Sequence, residues 1–355
     1  MNSFRYMIEG LGLKIVQSSV RPLSRRQVVN LARCLGRWAC RFPSTHRSIA
    51  EANYDRVFPN PPDPSHRKRI MAASYRNMAL TALDTFWSQR IGTENFRQYI
   101  RVNEPQLAEL QRERAEGIPQ IFALAHHGNW EMAALACQFL ELPLDIVVHH
   151  IRNPHIRSFL NGQREGGIHQ TIPARDSARP LLRGLAQGRI ATLVIDQNIK
   201  PIQGGSWVEF FGLPVTMSRA IAVLGTRTGA GIRGVYCIAD PAGIYDLGVL
   251  WKDRARPSAR GDKSGEIQEL DRLMNNTVLF LHQLIEKWPE QWVWSYKRWK
   301  YQYEGREAEY PLLLQAAHMA GTAAAPPHGG RAAQMTDPSG ITVFLGTTTT
   351  PSRMW

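Results

Sequence analysis

The sequence predicts an α/β fold, in which a mostly parallel central sheet is flanked by helices and preceded by a basic helical amino-terminal segment. Two observations carry this. From about residue 97, short apolar runs alternate with stretches of helical periodicity, the order that folds into parallel strands joined by helical crossovers. The first 50 residues hold nine Lys or Arg against Glu9 alone, so they supply +8 of the formal charge of +13 carried by 355 residues. With 43% hydrophobic and 21% charged residues, the chain has the balance of a folded protein.

Taken in order, Phe4, Met7, Ile8, Leu11 and Ile15 fall on one helical face, and Val28, Leu31, Leu35 and Trp38 on the face of a second helix. Arg26, Arg33 and Arg37 lie opposite, so the pair reads as basic amphipathic helices suited to an anionic membrane surface or to packing on the domain. Residues 45–57 and 65–90 read as further helices, split by the proline-rich turn 59–64. Residues 120–126, 145–149, 190–196 and 231–239 read as buried strands, with helices near 129–140, 154–166, 177–188 and 216–228 between them. Leu270, Leu273, Val278, Leu281, Leu284 and Ile285 pattern a long last helix over 264–288. Residues 311–355 carry only Arg331, Asp337 and Arg353 as charges and read as a disordered tail. The organisation expected is therefore a basic helical segment over 1–95, an α/β domain over 96–305 and the tail.

Several classes are excluded or disfavoured. Cys34, Cys40, Cys137 and Cys237 form no CxxC and no metal-like spacing, which argues against a disulfide framework or zinc ribbon. No apolar run reaches the ~18 to 20 residues of a spanning helix, and no signal peptide is expected. The basic charge lacks a nucleic-acid-binding signature, so no nucleic acid partner is expected.

The most informative stretch is Ala125-His126-His127-Gly128-Asn129-Trp130-Glu131. An apolar strand ends in two histidines, turns at Gly128 and opens a helix with Glu131 in its first turn. Ligands of open parallel sheets sit beyond the carboxyl ends of strands, which is where this puts His126. A histidine takes a proton near neutral pH, and a carboxylate on its second ring nitrogen fixes the tautomer. The spacing can bring Glu131 back to His126. The helix start offers N–H groups to a phosphate or oxyanion, and Gly128 and Asn129 are expected to bind substrate there. Asp196 ends another apolar run and is expected on the same rim. Read only as local structure, the histidines cap a strand, Glu131 favours the helix dipole and Asp196 caps a turn.

His126-x4-Glu131, written HHGNWE, resembles the His-x4-Asp/Glu motif of lysophospholipid-type acyltransferases, and most of all the late acyltransferases of lipid A biosynthesis, the lauroyl and myristoyl transferases. Further matches run in the same order along residues 1–305: Arg47, Asn53 and Phe58-Pro59, Asn153-Pro154 with Arg164, Asp196-Gln197-Asn198, Phe210-Phe211-Gly212-Leu213-Pro214, and Pro289-Glu290-Gln291-Trp292 with Arg298-Trp299-Lys300. The amino-terminal segment is less apolar than many members' membrane anchors, and the tail has no counterpart in the pattern.

The resemblance implies transfer of an acyl chain from an acyl carrier protein thioester to a hydroxyl of a membrane glycolipid. His126 would deprotonate the hydroxyl, Glu131 would orient and stabilise it, and Arg164 and Asp196 would bind substrate. No cofactor and no metal is implied, and peripheral or monotopic attachment to the cytoplasmic face of the bacterial inner membrane is expected. Trp207, Phe210 and Phe211 could line an acyl cleft or fill the core, and Trp294, Arg298, Trp299, Lys300 and Tyr301 could form a membrane-edge belt or a partly buried helix. Two rival readings remain: a metal-dependent hydrolase built on His126, His127, His149 and His150, and a non-enzymatic membrane-surface binding protein.

Overall fold

The computed structural model describes residues 2–165, 167–257 and 262–300, together with 334–336 and 342–344. The chain opens with α1 (Asn2–Val20), α2 (Arg25–Arg41), α3 (Thr45–Val57) and α4 (His66–Trp87). The α/β region then runs β1 (Ile100–Val102), α5 (Glu104–Ala115), β2 (Gln120–Leu124), α6 (Trp130–Phe139), β3 (Leu144–Val148), α7 (Pro154–Glu165), β4 (Gln170–Pro173), α8 (Ala178–Ala186) and β5 (Ile190–Val194). After β5 come the hairpin β6 (Gly205–Phe210) and β7 (Leu213–Ser218), α9 (Ala220–Thr228), β8 (Gly231–Ala239), β9 (Tyr245–Arg254) and α10 (Lys263–Lys287). The four expected strands and the helices between them are all present, with ends moved by a few residues.

The main sheet has seven strands in the order β1-β9-β8-β2-β5-β3-β4. Neighbours are parallel throughout except β8 with β9. Every residue of β2 is buried, as a central strand covered on both faces requires. Successive β2 side chains serve opposite faces: Ile121 and Ala123 join the cluster with α8, α9 and α10, while Phe122 and Leu124 join the one with α2, α4 and α6. The amino-terminal helices thus share a core with the sheet.

α2 is seated differently from its apolar spacing. Val28, Val29, Ala32 and Gly36 face inward, whereas Leu35 and Trp38 are exposed. Gly36 sets this rotation, because a Cβ there would lie 2.6 Å from the Arg76 Cα of α4, so only glycine permits the close approach. On α1, the expected face is exposed at Met7, Ile8, Leu11 and Ile15. Among the described residues no helix is long and apolar enough to cross a membrane. Within the expected tail, β10 (Gln334–Thr336) and β11 (Thr342–Phe344) pair antiparallel, and the rest of 311–355 lies outside the described residues.

Candidate active site

His126 follows β2 and Asp196 follows the adjacent parallel strand β5, so two strand ends deliver them to one edge of the sheet. The pair is joined twice: His126 Nδ1 lies 2.8 Å from Asp196 Oδ1, and the His126 backbone N–H donates to Oδ2 at 3.0 Å. The Trp292 indole N–H donates to the same Oδ2 at 3.1 Å. Burial alone would raise the Asp196 pKa, but the His126 ring and these donors reverse that and hold it at about 2. Burial likewise opposes protonation of His126, yet the Asp196 charge and hydrogen bond, helped by the Glu131 charge, raise its pKa above the usual 6.5. Asp196 is thus an anionic acceptor that assigns the ring proton to Nδ1 and leaves the Nε2 lone pair available. Nε2 faces the Gln197 amide nitrogen at 3.4 Å.

The segment after β5 is fixed by the chain's closing stretch. The Asn198 N–H donates to the Tyr296 hydroxyl at 3.0 Å, and its side chain donates to Lys297 O at 2.9 Å and accepts from Arg298 at 2.7 Å. Asn53 of α3 holds that stretch by donating to Trp294 O at 2.7 Å and Tyr296 O at 2.8 Å.

Glu131 sits elsewhere than its spacing suggests. Its carboxylate takes the Arg164 guanidinium of α7 in two places, Nε to Oε2 at 3.0 Å and Nη2 to Oε1, and accepts the Trp130 indole N–H at 3.2 Å. The hydrogen bond expected between Glu131 and His126 is instead made by Asp196. From the second residue of α6, the Glu131 side chain meets the end of α7, whose planar fork matches a carboxylate edge.

A cavity of about 560 Å³ opens at this pair. His126, Glu131, Arg164, Gln197 and Arg219 line its polar part, and Phe122, Leu124, Ala133, Cys137, Leu144 and Val235 form a buried apolar wall between α6 and the sheet. A second cavity of about 550 Å³ lies against α6 and α7 and shares Glu131, Arg164 and Ala134 with the first, so the ion pair forms part of the wall between them.

The model of the bacterial lipid A biosynthesis acyltransferase family matches residues 2–301. The chain belongs to this family. It is also similar to the phosphatidylinositol mannoside acyltransferases of two Mycobacterium tuberculosis strains, CDC 1551 / Oshkosh and ATCC 25618 / H37Rv. Each is 25% identical over 185 residues, which make up 50% of this chain and 55% of the relative's own length.

In this acyltransferase-family chain the other motif residues support the turn. Gly128 has φ +62°, and a Cβ there would lie 2.1 Å from Cys237 O. Its N–H donates to Gln291 O at 2.9 Å, and the Asn129 N–H donates to Cys237 O at 2.8 Å, so both N–H groups expected to meet substrate are consumed. The Asn129 side chain caps α6 through Met132 N at 3.1 Å and donates to the Tyr245 hydroxyl at 2.9 Å. Beside it the buried Asp84 binds Arg25 of α2, tying that helix to the motif turn. Gly128 and Asn129, expected as substrate-binding residues, do not line the cavity.

His127 is buried, with Nε2 donating to Trp288 O at 2.9 Å, and burial pushes its pKa down to about 4. It is thereby removed from the histidine cluster of the hydrolase reading, and among the described residues no three His, Cys, Asp or Glu side chains gather as metal ligands. Trp207, Phe210 and Phe211 do not line the cavity, and Phe210 is core, packed on Trp292 and Trp299. Trp294, Arg298 and Trp299 are buried as well, in a non-helical stretch, so these three do not face a membrane edge; Lys300 is half-buried, and Tyr301 lies outside the described residues. Gln197, Trp292 and Arg219 received no role from the sequence. The first two lie inside the matched motifs, and Arg219 carries no local signal at all.

Proposed function

We propose that the protein transfers a fatty acyl chain from a carrier-bound thioester, an acyl carrier protein being the expected donor, to a hydroxyl of a membrane glycolipid of the lipid A precursor type. Supporting the reading most is the His126–Asp196 pair, whose histidine lines a partly apolar cavity, in a chain of this family. Asp196 accepts the Nδ1–H, and Nε2 takes the proton of the acceptor hydroxyl as its oxygen attacks the thioester carbonyl. Collapse of the tetrahedral intermediate breaks the C–S bond, and the leaving thiolate recovers the proton from Nε2–H. The new ester and the free thiol balance the reaction, and no protein nucleophile is needed. Glu131 adds a second negative charge that favours the imidazolium and fixes Arg164 in the cavity wall. The apolar wall between α6 and the sheet suits the acyl chain.

The outward Met7, Ile8, Leu11 and Ile15 of α1, with Leu35, Trp38 and Phe42 at α2, lie among basic residues, a combination suited to peripheral attachment to an anionic bilayer. The cytoplasmic face is where a carrier-bound donor would be met. A transfer assay with labelled acyl carrier protein and membrane glycolipid tests the reading. His126→Ala should lose ~10²-fold or more of the rate, with His127→Ala much milder. Near-full transfer by His126→Ala would overturn the assignment.

A further inference from the structure

Two arginines line the catalytic cavity, and they are in opposite electrostatic states. Arg164 is neutralised by Glu131, the single acidic residue on the cavity wall among the described residues. Arg219 makes no side-chain hydrogen bond or ion pair with any described residue, and its Nε is buried without an acceptor. The side chain as a whole is half-buried, but its Nε–H is closed off from solvent and left for an acceptor that no described residue supplies. The surroundings reinforce the positive field. Arg219 immediately precedes the nine-residue α9, and Ser218 at the end of β7 lines the same cavity with Ala220 and Val223 of the first turn of α9, which places the positive end of the helix dipole there. Gln203 and Gly204 complete this corner, Gly204 accepting the Arg219 backbone N–H at 3.4 Å.

We propose that Arg219 forms a phosphate-ester subsite of the cavity, taking the anionic group of a substrate whose reacting end is at His126. This rests on the acyl-transfer reading and moves the phosphate contact from Arg164, whose fork is occupied, to Arg219. A phosphate ester is the chemistry that a guanidinium and a helix amino terminus recognise together. It has two sources in such a reaction: the phosphopantetheine arm that carries the acyl group, and a phosphate on the glycolipid headgroup.

Equilibrium binding to the full chain separates them. The probes are 4′-phosphopantetheine against pantetheine, and a phosphorylated hexosamine against the unphosphorylated sugar. In the parent protein one phosphorylated probe should bind roughly 10- to 100-fold tighter than its phosphate-free partner. Arg219→Gln should erase that difference and Arg219→Lys should restore part of it, with far-UV spectra and melting temperatures showing all variants folded. The pair that shows the difference names the source. In transfer assays the same variants should raise KM for that substrate by a similar factor and leave kcat within about threefold. If neither pair differs, or the difference survives Arg219→Gln, the subsite is overturned while the His126 variants still decide the transfer reading.

Discussion

Replacing Asp196 by Asn tests the proposed base through its tautomer. Asp196 Oδ2 accepts two N–H groups, the His126 backbone and the Trp292 indole, and Oδ1 accepts the ring. An Asn in this place has one oxygen, and the two fixed donors claim it. Its NH₂ then faces Nδ1, which must present a lone pair, so the ring proton moves to Nε2 and the base is blocked. The loss expected for a wrong tautomer is about 10² to 10⁴ in kcat, ~3 to 5 kcal/mol of barrier. The pH profile should move as well. In the parent, Asp196 overcomes the effect of burial and raises the His126 pKa, so activity rises through a pH above 6.5 as the ring loses its proton. Without that charge burial dominates, the pKa falls, and the acid limb of the residual activity shifts to lower pH. Single-turnover rates across pH 5 to 9 on the folded variant measure both effects. A kcat within about threefold of the parent, or an acid limb that stays in place, would refute the orientation of His126 by Asp196.

Glu131→Ala and Arg164→Ala should each lower stability, and a double-mutant cycle on thermal unfolding should return about 1–3 kcal/mol of coupling for this two-point, partly buried pair; additive losses would show that the pair does not form. Burial depresses the His282 pKa to about 4, and its neutral Nε2 accepts the Phe211 N–H at 3.2 Å. The unfolded chain therefore binds the extra proton, and stability falls as pH drops from 6.5 towards 4. His282→Gln should flatten that fall by about 1–3 kcal/mol, read from denaturant unfolding at pH 7 and pH 4.5, and an unchanged slope would exclude His282 as the cause. Liposome cosedimentation should show binding to anionic vesicles that high salt weakens without abolishing, since each basic side chain near the surface contributes about 1 kcal/mol. Trp38→Ser with Phe42→Ser should remove the salt-resistant part, and equal binding to neutral and anionic vesicles would contradict the electrostatic component.

The strands that carry the site were legible because they are continuous apolar runs bounded by turns, as 120–126 and 190–196 show. The short edge strands β1 and β4 carry too few residues for periodicity to register, and β9 lacks a clean signal because Asp246, Gly248 and the charged end Lys252-Asp253-Arg254 interrupt its apolar residues. For the site, His126 and its placement at a strand end followed from local pattern. The partnership of His126 with Asp196 crosses 70 positions and depends on which strands are neighbours, which no spacing rule contains. Glu131 misled for a related reason: a helix start offers several directions, and the choice was made by Arg164, 33 positions away. Trp207, Phe210 and Phe211 suited a core as well as an acyl cleft, and Trp294 and Trp299 a partly buried helix as well as a membrane edge, until their neighbours were known.

His126 and Asp196 each lie two residues beyond the last registered pair of their ladder, Leu124 with Val194. The carboxylate that takes the His126 backbone N–H thereby continues the strand pairing by one side chain. Variation in chain length is for this reason not equally tolerated along the protein. A residue gained or lost in a surface connection leaves this alignment alone. The same change inside β2 or β5 slides one partner by about 3.3 Å and turns its side chains to the opposite face. Single-residue insertions scanned along the chain should therefore inactivate sharply within 120–126 and 190–196, even where the variant still folds and remains soluble.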